Sequence, residues 1–344
     1  MRAPRHRRHR GGLPVLPCEP RTPPYAALRT LAIVQAALSG YLTIWSVIGV
    51  GWLAAQLRVL TESHRRMLSR LAFTIASPAL LLSLVARADL GHLFSGALVV
   101  SALAIGLAAV AYLVAARVLL GRGDLPGRVV GTLCSVYTNA GNLGLPVAAY
   151  VLGDMTWMAP IILIQVGLLQ PAAMALLDLA AARSDGRTLS WGRYASLPFR
   201  NPITVFTLVG LVLNLLRVEL PDLLWQPVAM VGQLAVPAML IAFGVSLRLD
   251  PLPGRGPHAR ELALIAPLKV LVHPAIAFGL GAWVFHLPVR DLLATTVIAA
   301  LPTAQNIYLI SSRYHVRTLL ARDAIFVSTI ASIPVIVAAS TWLG

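Results

Sequence analysis

Two short stretches hold most of the polar chemistry in an otherwise apolar chain: YTNAGNLGLP from Tyr137 to Pro146, and LPTAQNIYL from Leu301 to Leu309. Asn139, Asn142, Gln305 and Asn306 offer N–H donors suited to carboxylate oxygens and C=O acceptors suited to a protonated acid. Amides do this without the desolvation penalty of a buried charge. Gly141, Pro146, Pro302 and Thr303 surround them with residues that interrupt a helix. This set can bind, but it holds no activated nucleophile and no paired acid and base. The chain also lacks a Walker sequence, a zinc-ligand cluster and a nucleophile motif, so it is expected to be no enzyme and no ATP-driven pump. No cofactor and no metal are expected.

The elements that must position these residues follow from composition. Of 344 residues 58% are hydrophobic and 12% charged, about half the charge of a soluble domain, and the mean hydropathy is +0.77. These values indicate an all-α polytopic membrane protein. Apolar runs of about 20 residues, the length needed to cross the hydrocarbon, number ten. They cover approximately 38–57, 70–87, 94–117, 128–152, 156–182, 201–217, 225–247, 261–286, 291–312 and 320–343.

The net charge of +15 is explained by where the arginines fall. The odd-numbered connections between spans carry 17 of them, among them Arg65, Arg122, Arg193, Arg255 and Arg317, against Arg87, Arg217 and Arg290 in the other four. Cytoplasmic loops collect positive charge, so the odd connections are expected in the cytoplasm, both termini outside, and the protein in the cell membrane. No nucleic-acid partner is implied. Residues 1–37 read as a disordered basic tail, and its seven arginines break this rule unless translation starts later than Met1. A signal peptide ending near Gly40 is a rival reading of the tail. Cys18 and Cys134 have no evident partner.

The halves repeat. SPALLLSL in the second span matches VPAMLIAF in the seventh, placing Pro78 over Pro237 at an offset of 159 residues. TNAGN in the fourth matches PTAQN in the ninth, placing Asn142 over Asn306 at an offset of 164. Residues 38–182 and 201–344, joined by a linker at 183–200, therefore read as two five-span repeats. Because five is odd, the second enters the membrane inverted, an organisation common in secondary transporters. A broken helix survives in lipid only where protein or a water-filled cavity satisfies its backbone. Both breaks are thus expected to face inward, with Asn142 capping the half-helix after it and Pro146 in that helix's first turn. Two such positive helix ends facing each other suit a small anion. Gluing of helices by asparagine is the bland alternative for one span, less so for two matching ones.

Other polar residues within spans remain open between two readings. Lys269, the only lysine, shares a face of span eight with His273 at i, i+4 spacing; the first either attracts the anion or snorkels, the second either carries a coupling proton or packs. Asp178 forms an interfacial pair near Arg183 or takes part in coupling. Gln165, Gln170 and Tyr308 line the cavity or join helices, and Gly127 with Gly131 makes a close-packing motif.

NAGNLGLP, LAVPAMLIAFGVSLR, LKVLVHPAIAFG and LPTAQNIYLISSRYHV together resemble the auxin efflux carrier family of membrane transport proteins, over residues 40–344. The resemblance implies ten helices in which broken spans four and nine cross, with a substrate carboxylate at Asn142 and Pro146 and at Asn306 and Pro302. It also implies a homodimer, a scaffold of spans one, two, six and seven, and a moving transport part. The linker at 183–200 is far shorter than the long cytoplasmic loop of the plant carriers, so regulation by phosphorylation there is not expected. The expected function is a secondary transporter of a small organic anion, a mono- or dicarboxylate, by alternating access. The rivals are a sodium-coupled symporter of the bile-acid type and a non-transporting anion sensor. A proton or sodium ion is the candidate coupling partner.

Overall fold

The protein is described as a computed structural model covering residues 42, 44–87, 96–144, 147–184, 202–218 and 221–343. The tail at 1–37, most of the linker at 183–200, and Pro146 lie outside the described residues. Within them the chain is helical, without strands; its β-type pairing is a single antiparallel bridge between Thr138 and Thr303.

Among the described residues six helices are long and apolar enough to cross a membrane: α2 (Glu62–Ala86), α3 (Gly96–Leu119), α5 (Met155–Arg183), α7 (Asp222–Leu249), α8 (Ala259–Val284) and α11 (Thr318–Leu343). Two shorter apolar helices are α1 (Ile44–Gln56) and α6 (Pro202–Leu215). The other described helices are α4 (Leu125–Val136), α9 (Val289–Ala300) and α10 (Asn306–Tyr314), with π-helical turns at Ala140–Gly144 and Ala148–Leu152. The multi-pass architecture follows from their surfaces. In α3 the inward face is built of Ala97, Val100, Ala104, Ala108, Tyr112 and Ala116, at three- and four-residue spacing, while Leu103, Leu107, Val110 and Val114 point outward and exposed. Both faces are apolar, as a helix between lipid and protein requires. Small residues on the buried side let neighbouring backbones approach. Met230 and Trp283, each 74% exposed, continue that apolar exterior.

α2 packs against α6 and α7. α1 crosses α7 in backbone contact: a methyl group on Gly51 would run into the carbonyl of Ile241, and one on Gly244 into that of Ile48. Elsewhere α9 packs between α8 and α11, and α3 beside α4 and α8. The site described below lies where these two groups of helices meet.

At one end of the bundle the arginine-bearing connections come together. Arg317 pairs with Asp124 at 3.0 Å and Glu261 at 3.5 Å, and Arg65 with Asp250 at 2.6 Å. Arg322 departs from the reading of these arginines as loop charges, because α11 begins at Thr318 and carries it one turn inside the helix. There it is fully buried. It pairs with Asp323 at 2.5 Å and donates to the Pro251 carbonyl at 2.6 Å. Removing one member of such a buried pair leaves the other uncompensated. Arg322→Met is therefore expected to destabilise the fold by on the order of 3–5 kcal/mol, read as a lower unfolding temperature in detergent.

Candidate functional site

The bridge between Thr138 and Thr303 marks where two helices stop. α4 ends at Val136, and Tyr137 is extended; α9 ends at Ala300, and Leu301 is extended in the same way. Each interruption frees backbone groups that the membrane interior cannot solvate. They pair with each other: Asn139 N–H donates to the Pro302 carbonyl at 2.8 Å, and Ala304 N–H to the Tyr137 carbonyl at 3.2 Å. Pro302 suits its position, since its missing N–H is not needed and its carbonyl is.

Side chains take the remaining backbone groups. Gln165 Oε1 accepts from Thr138 N–H at 2.6 Å, and Ser328 Oγ accepts from Thr303 N–H at 3.0 Å. Thr303 Oγ1 donates to the Cys134 carbonyl, in the last turn of α4, at 2.7 Å. Thr303 is fully buried. With Pro302 it builds the junction and does not face the ligand space.

The chain resumes helical form on each side of the junction. A π-helical turn, Ala140–Gly144, follows the first break, with the Asn139 carbonyl accepting from Gly144 N–H at 2.8 Å. The cap position is thus held by Asn139, not by Asn142 as the spacing suggested, because this turn starts earlier than Asn142. On the other side α10 begins at Asn306. The first N–H groups of such turns have no partner within their own helix and concentrate partial positive charge.

Between the resumed helices lies a cavity of about 120 Å³. Its polar wall holds Asn139, Asn142, Gln165, Gln170, Gln305 and Asn306, with the backbone at Gly141. The part of the lining from α2, α6 and α7 is apolar at Leu80, Leu81, Ile203, Val236 and Met239, with Ser77 of α2 its one hydroxyl among the described residues. Among the described residues no arginine, lysine, histidine, aspartate or glutamate contributes to the lining. Asn142 Nδ2 reaches Gln305 Oε1 at 3.4 Å, a weak contact that joins the two breaks. Gln170 Oε1 accepts from Tyr137 Oη at 3.0 Å and from Asn306 Nδ2 at 3.2 Å. Two buried polar atoms of the lining, the donor Asn139 Nδ2 and the acceptor Asn306 Oδ1, have no partner among the described residues. Unpaired buried groups are rare in native structures.

The structure thus gathers Asn139, Gly141, Asn142, Gln305 and Asn306 around one space. Gln165 and Gln170, which the sequence left undecided, both line it and also hold the breaks. Tyr308 does not; it faces Arg65, 3.5 Å away, and stacks edge-on with Phe243. Lys269 and His273 are not part of the lining; Lys269 meets the end of α9 at the Ala299 carbonyl, and His273 lies beside Lys269. Asp178 accepts from Tyr314 Oη at 2.8 Å, outside the cavity. Gly127 and Gly131 make close contacts: a methyl group on Gly131 would strike the Tyr112 hydroxyl, which donates to Glu261 at 2.6 Å.

The profile of the family described as membrane transport protein matches residues 37–181 and 195–339. A protein of Rhizobium meliloti (strain 1021) bearing the name "Putative malonate transporter" is 26% identical over 301 residues, covering 85% of this chain and 91% of that protein. A second relative, an "Uncharacterized transporter" of Methanothermobacter thermautotrophicus, is 25% identical over 313 residues, covering 88% and 96%.

Gln165 tests the junction directly. Gln165→Leu removes the acceptor of the Thr138 N–H and leaves that group unpaired, which is expected to destabilise by about 1–3 kcal/mol. Thermal unfolding in nanodiscs reads the loss. An unchanged unfolding temperature would mean that another group satisfies the break.

Proposed function

The chain belongs to the membrane transport protein family, and from that premise we propose that it is a secondary carrier of a small organic anion. The cavity between the two breaks is the proposed substrate site. In this reading ten spans form two inverted five-helix repeats, and the amide wall moves with the substrate past the apolar wall on α2, α6 and α7. The observation that carries it is the pair of unpartnered atoms, Asn139 Nδ2 and Asn306 Oδ1, in a cavity flanked by helix starts. A donor and an acceptor together suit a carboxyl group, one ionised oxygen taking N–H bonds and any protonated oxygen giving one. Charge compensation comes from the N–H ends of the half-helices, as in other broken-helix carriers.

An apolar wall opposite a polar one gives such a carrier a physical means of movement. Polar groups that crossed between two moving bodies would break hydrogen bonds at every cycle, whereas Leu80, Leu81 and Met239 offer contacts that slide without that loss. The anion's class is supported by the name of the Rhizobium relative. Malonate, a three-carbon dicarboxylate, is therefore the first substrate to test.

Purified protein in liposomes is expected to take up labelled malonate. Asn142→Ala and Asn306→Ala are each expected to lower that uptake by roughly 10–100-fold, the equivalent of losing a hydrogen bond to a charged group, while folding and membrane insertion persist. Normal uptake by both variants would place the site elsewhere. Repeating the assay with sodium replaced by a large organic cation separates this carrier from a sodium-coupled one.

A further inference from the structure

Lys269 is the only lysine of the chain, and the site as described makes no use of it. It lies in a π-helical turn of α8, Leu268–Val272, and is fully buried. Among the described residues no carboxylate pairs with it. Its Nζ donates to the Ala299 carbonyl at 3.1 Å and lies 3.3 Å from His273 Nδ1. A buried amine without an acid nearby calls for another source of negative charge.

That source is the helix it touches. Ala299 is the penultimate residue of α9, which stops at Ala300 before the break. The carbonyl end of a helix concentrates partial negative charge, roughly half an electron. Here it does so inside the membrane, next to the junction that closes on Asn139. Left alone, it would repel an anion bound beyond the break. The corresponding carbonyl end of α4 receives only the neutral hydroxyl of Thr303, on Cys134. Of the two carbonyl ends, one meets the amine of a lysine and the other a hydroxyl.

We propose that Lys269 is a positioning residue whose ammonium serves as the built-in counter-charge of α9, occupying the place where a broken-helix carrier would otherwise bind an alkali cation. It holds the corner at Ala299 to Leu301 and through it the pairing of Pro302 with Asn139. Its effect on anion affinity rests on the carrier reading above; its effect on the helix end does not.

The test uses the purified protein in nanodiscs without substrate. Wild type is expected to unfold at the same temperature in sodium as in N-methylglucamine. Lys269→Ala removes the ammonium and its stem, lowering that temperature, and n-butylammonium restores it while n-butanol at equal concentration does not. Lys269→Met keeps the volume and is expected to stay folded, yet to lose roughly tenfold in malonate uptake. Equal restoration by butanol and butylammonium would reduce Lys269 to packing and overturn the proposal. So would a Lys269→Met variant that unfolds and transports like wild type. Absence of anion uptake by wild type would fail the carrier reading alone, since the butylammonium comparison needs no substrate.

Discussion

A helix that stops inside a membrane must find partners for its backbone, and the whole arrangement depends on how two such helices find them in each other. Tyr137, Asn139, Pro302 and Ala304 exchange the hydrogen bonds that α4 and α9 give up. Each unpaired group in lipid would cost several kcal/mol. Neither break is tolerable alone, so the two must sit at the same depth and face each other. The side chains around them follow from that need: Gln165, Ser328 and Thr303 each take or give one further backbone bond at the junction.

Once the junction is closed, it has a direction. The helical turns after it start beside the cavity, so the N-terminal ends of Ala140–Gly144 and α10, which carry partial positive charge, border that space. The carbonyl ends behind it have the opposite sign, and Lys269 and Thr303 stand against them. The amide side chains gather on the junction's side of the cavity, and α2, α6 and α7 close it with side chains that are apolar except for Ser77. In the proposed carrier this division lets one wall hold the anion while the other slides.

Much of this was legible in the sequence because glycine, proline and asparagine act on the local backbone. Their presence in two apolar runs, at matching places, was enough to locate both breaks and to choose Asn139, Asn142, Gln305 and Asn306 as the polar set. What could not be read depends on partners distant in the chain. The cap fell to Asn139 because a π-helical turn begins at Ala140, a register that residue types do not specify. Tyr308 turned toward Arg65, and Arg322 became a buried ion pair, through packing with α2 and with the segment at Asp250 and Pro251. The i, i+4 spacing of Lys269 and His273 placed them on one face but could not name Ala299 as what that face meets.

Cysteine cross-linking tests the central claim most directly. Thr138 and Thr303 form the non-hydrogen-bonded pair of the antiparallel bridge, a geometry that brings Cα atoms to about 4.5 Å, within disulfide range. In a background with Cys18 and Cys134 replaced by alanine, Thr138→Cys with Thr303→Cys should form an intramolecular disulfide in membranes treated with a permeant oxidant, and either single variant should not. If the double variant keeps both thiols free under conditions that oxidise a surface control pair, the two breaks do not meet.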